Sequence, residues 1–109
     1  MTTQPAVSRP ARRLSIFLEH RDRVHQRPVL LEVLRRARRA KLSGATVVRA
    51  EVGYGASGRL HRPHALSEDS PHAVVIVEAP ERIEAFLAAV SDLLTDVVVV
   101  VDEVEIVAT

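Results

Sequence analysis

From Arg13 to Glu19 the chain alternates, with Leu14, Ile16 and Leu18 set against Ser15, Phe17 and Glu19. That period of two predicts a strand. The arginine-rich stretch from His20 to Arg27 reads as a polar connection. Pro28 suits the first turn of a helix. Behind it Leu30, Leu34, Ala37 and Lys41 share one stripe, flanked by Val33 and Ala40. This spacing predicts an amphipathic helix that stops at Ser43-Gly44. The β-branched run from Ala45 to Val52 predicts a second strand, and a long loop of about 53–71 follows it. His72 to Glu78 predicts a third strand that is apolar throughout Ala73–Val77. Such a continuous run suits burial on both faces. Pro80 opens a second helix with Ile83, Phe86, Leu87, Val90 and Leu94 on one face, and Asp96 marks a turn. Val97 to Val101 begins the last strand, which continues with Val104 and Ile106 inward against Glu103 and Glu105 outward. Residues 1–12 show no period and predict a disordered basic tail ahead of one domain over 13–109.

Strand–helix–strand therefore occurs twice, in halves of similar length. That order predicts an α+β, ferredoxin-like βαββαβ sandwich: a four-stranded antiparallel sheet with both helices on one face. Helices on one face leave the other uncovered. Strands that are apolar on both sides then call for a further cover, most simply another copy of the chain.

Charge changes this picture little. The 109 residues carry a net charge of +1. Arg35, Arg36, Arg38, Arg39 and Lys41 crowd the first helix, whereas Asp92, Asp96, Asp102, Glu103 and Glu105 make the last third acidic. The basic cluster suits the negative end of a helix dipole. The acidic part would repel a polyanion, so no nucleic-acid partner is expected. With one tyrosine, two phenylalanines and no tryptophan, the chain also lacks platforms for stacking bases. The absence of cysteine excludes disulfides and thiolate metal sites. No secretory signal or membrane span is legible, so a cytoplasmic protein is expected.

Three of the four glycines fall in Gly53-Tyr54-Gly55-Ala56-Ser57-Gly58, followed by Arg59-Leu60-His61. Backbone N–H groups freed by glycine, beside cationic side chains, suit an anion such as a phosphate. Gly53, Gly55 and Gly58 would let the backbone approach it. Ser57 would donate a hydroxyl hydrogen bond, Arg59 and Arg49 would supply charge-assisted ones, and His61 would orient loop or ligand. Residues 54–70 have few apolar side chains beyond Leu60 and Leu66, which predicts a loop that is mobile until a ligand orders it. Other chemistry is weaker. His61 and His64 are three apart on a loop, a poor frame for a metal. Glu68-Asp69 reads as part of a turn. Ser57 has no histidine–carboxylate partner in view, and no dinucleotide or Walker fingerprint is present. No catalytic constellation emerges and no cofactor is implied, so the chain is not expected to be an enzyme.

Gly44-Ala45-Thr46-Val47-Val48-Arg49-Ala50, then Gly53 through His61, then Leu66-Ser67-Glu68-Asp69-Ser70-Pro71, resemble the family known as domain of unknown function 190. Ile83-Glu84-Ala85-Phe86-Leu87 fits as well, and the resemblance spans about 13–107. After the first strand the family's glycine and lysines are replaced by Leu18-Glu19-His20-Arg21-Asp22-Arg23. The family is grouped with PII-like signalling and CutA-type proteins. The resemblance implies a PII-like homotrimer that binds a small anionic effector, such as an adenine nucleotide, in clefts between subunits through the 53–71 loop. It also implies an alternative, an adaptor trimer whose loop grips a protein partner such as a membrane transporter. The CutA-type kinship implies a third reading, a metal held by His20, His61 and His64.

Overall fold

The computed structural model describes residues 7–19, 23–24, 27–49, 53–54, 60–61 and 71–108, with side chains described at 7–19, 28–49 and 71–108. Four strands form one sheet: β1 (Val7–Leu18), β2 (Thr46–Arg49), β3 (His72–Glu78) and β4 (Val98–Ala108). Their order across the sheet is β2-β3-β1-β4, and every neighbouring pair is antiparallel. Helices α1 (Val29–Arg39) and α2 (Pro80–Ala89) supply the two crossovers. This is the expected α+β, ferredoxin-like arrangement.

The core lies between the helices and one face of the sheet. Leu14, Ile16 and Leu18 from β1 and Val74 and Ile76 from β3 meet Val29, Val33 and Ala37 from α1. Ile83, Phe86, Val90 and Leu93 from the α2 region complete it. The period of two places the alternate residues on the opposite face. There Val48, Ala73, Phe17 and Val98 are direct cross-strand partners and form one row across all four strands. Thr46, Val75, Ser15 and Val100 form the next row. Phe17 is 48% exposed, Val48 52%, Val98 50% and Val100 44%. Among the described residues nothing covers this apolar face. Arg13 and Asp102, direct partners on the same face, form a two-pronged ion pair at 3.1 and 2.6 Å. The hydrogen bond to Asp102 raises the Arg13 pKa.

Several boundaries differ from expectation. Strand β1 begins at Val7, inside the segment read as a disordered tail. Residues 7–11 pair with 104–108 of β4 beyond the end of β3, so a distant partner orders a stretch with no local period. The connection after β1 contains a short ladder, Arg23–Val24 against Arg27–Pro28. Pro28 caps α1 from outside rather than opening it. The buried stripe of α1 is Val29, Val33 and Ala37, with Leu30 and Leu34 only half-buried and Ala40 and Lys41 exposed. On α2 the expected face holds, but a 3₁₀ turn at Ser91–Leu93 buries Leu93 and leaves Leu94 half-buried. β2 is shorter than expected. Gly53–Tyr54 pairs with Leu60–His61, so the expected loop carries a small ladder of its own.

Helix α1 does not end on Gly44. Lys41 takes the left-handed conformation, φ 56°. The Lys41 N–H donates to the Arg38 carbonyl and the Leu42 N–H to the Ala37 carbonyl, and Leu42 packs on the core. These are the paired bonds of a Schellman ending. A side chain at left-handed φ costs about 1–2 kcal/mol. Lys41→Gly is therefore expected to raise the unfolding free energy by about 0.5–1 kcal/mol in urea titration, whereas Lys41→Ala should change it little.

Candidate functional site

Strands β1 and β2 end, and β3 begins, at the same end of the sheet. The 50–71 connection leaves and returns there. α1 starts from this end, because it must run back along the sheet to reach β2. Register sets Leu18, His72 and Arg49 side by side across β1, β3 and β2, on the helix side. Arg49 is exposed, His72 half-buried and the next residue of β1's chain, Glu19, buried. α1 begins here with no side-chain cap on its first-turn N–H groups. An exposed guanidinium beside an imidazole can hold an anion by charge-assisted hydrogen bonds.

Of the expected site residues, Arg49 stands at this end. Gly53 and His61 are described through their backbone, as direct partners in the short ladder that opens the loop. Gly55, Ser57, Gly58 and Arg59 lie outside the described residues, as do Glu68, Asp69, His20 and His64. Among the described residues no three His, Cys, Asp or Glu come together to hold a metal ion. No described helix is long and apolar enough to cross a membrane. Glu19 and His72 join the site only through register and burial. A histidine at a strand start was visible in the sequence, but its place beside Arg49 depends on how β2 and β3 pair.

The other end of the sheet carries a different polar cluster. The Glu78 carboxylate is buried and accepts the Ser43 backbone N–H. Arg82 lies 3.6 Å from it and donates to the carbonyls of Ala40 and Lys41 at 3.0 and 2.9 Å. The Ser43 N–H foremost, and Arg82 with it, hold the Glu78 carboxyl below the usual carboxylate range against the opposing effect of burial. A depressed folded pKa means stability that is present above the unfolded pKa and lost as pH falls through the folded one. Glu78→Gln keeps an oxygen for the Ser43 N–H but loses the charge, so it is expected to destabilise the protein by about 1–1.5 kcal/mol at neutral pH, the difference between hydrogen bonds to charged and to neutral groups. The difference from the parent should shrink below the ordinary carboxylate range, as unfolding followed across acidic pH would register. Elsewhere Arg36 of α1 donates to Asp92 at 2.6 and 3.0 Å and to the Ala89 carbonyl at 2.9 Å, tying α1 to the end of α2. The Asp92 hydrogen bond raises its pKa.

Residues 11–106 match the DUF190 family, described as "Uncharacterized ACR". A UPF0166 protein of Aquifex aeolicus (strain VF5) is 36% identical over 76 residues, covering 68% of this chain and 72% of that protein. Among solved structures the fold is similar to CPII, a nitrogen regulatory PII-like protein from Thiomonas intermedia K12, in its form bound to ADP, AMP and bicarbonate. There the TM-score is 0.69 at 20% identity, over 92% of this chain and 91% of that one. The apo form of CPII gives a TM-score of 0.65 at 16% identity, over 96% and 100%.

Proposed function

The chain belongs to the DUF190 family, and on that premise we propose that it is a PII-like, non-catalytic regulatory protein. In this reading it assembles as a homotrimer and binds a small anionic effector, an adenine nucleotide first among candidates, in clefts between subunits. The observation that carries the reading is the convergence at one end of the sheet. Arg49, His72 and the mouth of the 50–71 connection meet there, on a fold shared with a protein solved with ADP, AMP and bicarbonate. Gly53, Gly55 and Gly58 would bring backbone N–H groups to the anion. Ser57, Arg49 and Arg59 would add hydrogen bonds, and His61 would orient the loop. The uncovered row Val48, Ala73, Phe17 and Val98 would pack against neighbouring copies.

Thermal unfolding with ADP, AMP and bicarbonate tests this. A ligand at one hundred times its Kd stabilises by about 2.7 kcal/mol. We expect a shift with at least one of them, reduced at least ten-fold in affinity by Arg49→Ala or Arg59→Ala. No shift with any of the three, and none with other nucleotides, would reject the effector reading. It would favour the adaptor reading instead, in which deletion of 53–71 releases a protein partner such as a membrane transporter.

A further inference from the structure

Among the described strands, β2 lies at the sheet edge with β3 as its one neighbour, and each of its four residues is exposed. Val47 faces the helices opposite Val74, and Val48 faces away opposite Ala73. A slip of one residue along β3 would turn every β2 side chain to the other face. In most strands that moves apolar groups into water. Here it exchanges a valine for a valine, so apolar burial does little to forbid it. The slip would nevertheless carry Arg49 from the helix side, opposite His72, to the uncovered side, opposite Ala73. Something other than hydrophobic patterning has to fix the register.

Thr46 pairs with Val75. Three residues before Thr46 is Ser43, and three after Val75 is Glu78, so continuing the ladder would bring these two face to face. They are the residues joined by the Ser43 N–H bond to the Glu78 carboxylate. Glu78 is 5% exposed, so water competes little for that bond. Arg82, beside the carboxylate, donates to the Ala40 and Lys41 carbonyls just after α1 and so holds the far end of the short connection as well. We infer that Glu78 is the register pin of β2. Its side-chain oxygen on the Ser43 N–H sets the phase of β2 on β3 and thereby the face on which Arg49 stands. The bearing on anion binding rests on the function proposed above; the pin itself involves no ligand, so the two can fail separately.

The chain has no cysteine, so introduced pairs report cleanly. Cysteines directly opposite one another on antiparallel strands lie within disulfide reach, whereas residues offset by one point to opposite faces. Thr46→Cys with Val75→Cys reads the native register. Val47→Cys with Val75→Cys reads the slipped one. On the full chain with Glu78 intact, only the first pair should close. In Glu78→Val the second pair should close at least ten-fold more than with Glu78. Glu78→Gln keeps an oxygen for the Ser43 N–H and should hold the native pair alone. A Glu78→Val chain that closes only the native pair overturns the pin, and so does a Glu78→Gln chain that slips. Should Glu78→Val fail to fold, hydrogen exchange in the unmodified chain decides. Among the β2 amides bonded to β3, protection should fall from Thr46 toward Arg49, and the reverse gradient overturns the proposal.

Discussion

Ile16→Ala is expected to lower the unfolding free energy by about 2–5 kcal/mol, the range for removing a large aliphatic side chain from a packed interior. Ile16 is fully buried. Its cross-strand partners are Val74 on β3 and Val99 on β4, so it sits in the middle of the sheet directly beneath the helices. A cavity there has rigid walls on every side and cannot close by a shift of one element. Against a total stability of about 5–15 kcal/mol, such a loss moves the urea midpoint far toward zero. Val47→Ala is the control. Val47 shares the same row, but it is 40% exposed on the edge strand, and its truncation should cost less than about 1 kcal/mol. Equal losses at the two positions would mean that the sheet is not anchored where its burial is deepest.

Phe17→Asp is expected to leave the fold intact and abolish assembly. Phe17 occupies the centre of the uncovered row, half-exposed in the single chain, so a carboxylate there meets water and costs the monomer little. In an assembled trimer with that face buried, the same carboxylate would be dehydrated against Ala73 and Val98. Burial of an unpaired charge costs several kcal/mol, enough to disperse a micromolar complex. Sedimentation at micromolar concentration should give the mass of three chains for the parent and one for the variant, with unchanged circular dichroism. A variant that still sediments as a trimer would place the interface elsewhere. A parent that sediments as a monomer would remove the homotrimer from the reading.

Much of the architecture was legible in the sequence because patterns local to each segment decide it. The boundaries of β3 match the expectation, since only eight residues separate Pro71 from Pro80 and leave little choice. The α2 face also followed from spacing, and Asp96 does adopt a left-handed turn, φ 60°. What escaped was set by partners far along the chain. Val7–Ala11 has no period of its own and becomes strand because Val104–Ala108 lies beside it. The end of α1 was misplaced because glycine attracts a cap assignment. Lys41 fills the left-handed position instead, where its backbone bonds and the packing of Leu42 outweigh the strain. At the candidate site Arg49 could be singled out by charge and position. Glu19 and His72 could not, because a neighbour across a sheet depends on register, and the register of β2 is not encoded in its own valines.

The pairing of β1 with β4 joins Val7 directly to Ala108, so the first and last described residues of the chain are neighbours. β1 is an interior strand, and both strands that flank it are made later than it is. On a ribosome the strand that carries Leu14, Ile16 and Leu18 emerges long before either neighbour exists. It must wait unpaired through the synthesis of α1, β2 and the long connection. Contacts between such distant segments make folding slow. An unpartnered apolar edge is also a template for aggregation. Synthesis of the eleven residues of β4 is thus the step that supplies the second neighbour of β1. A polypeptide that lacked β4 would leave the β1 edge open to its neighbours.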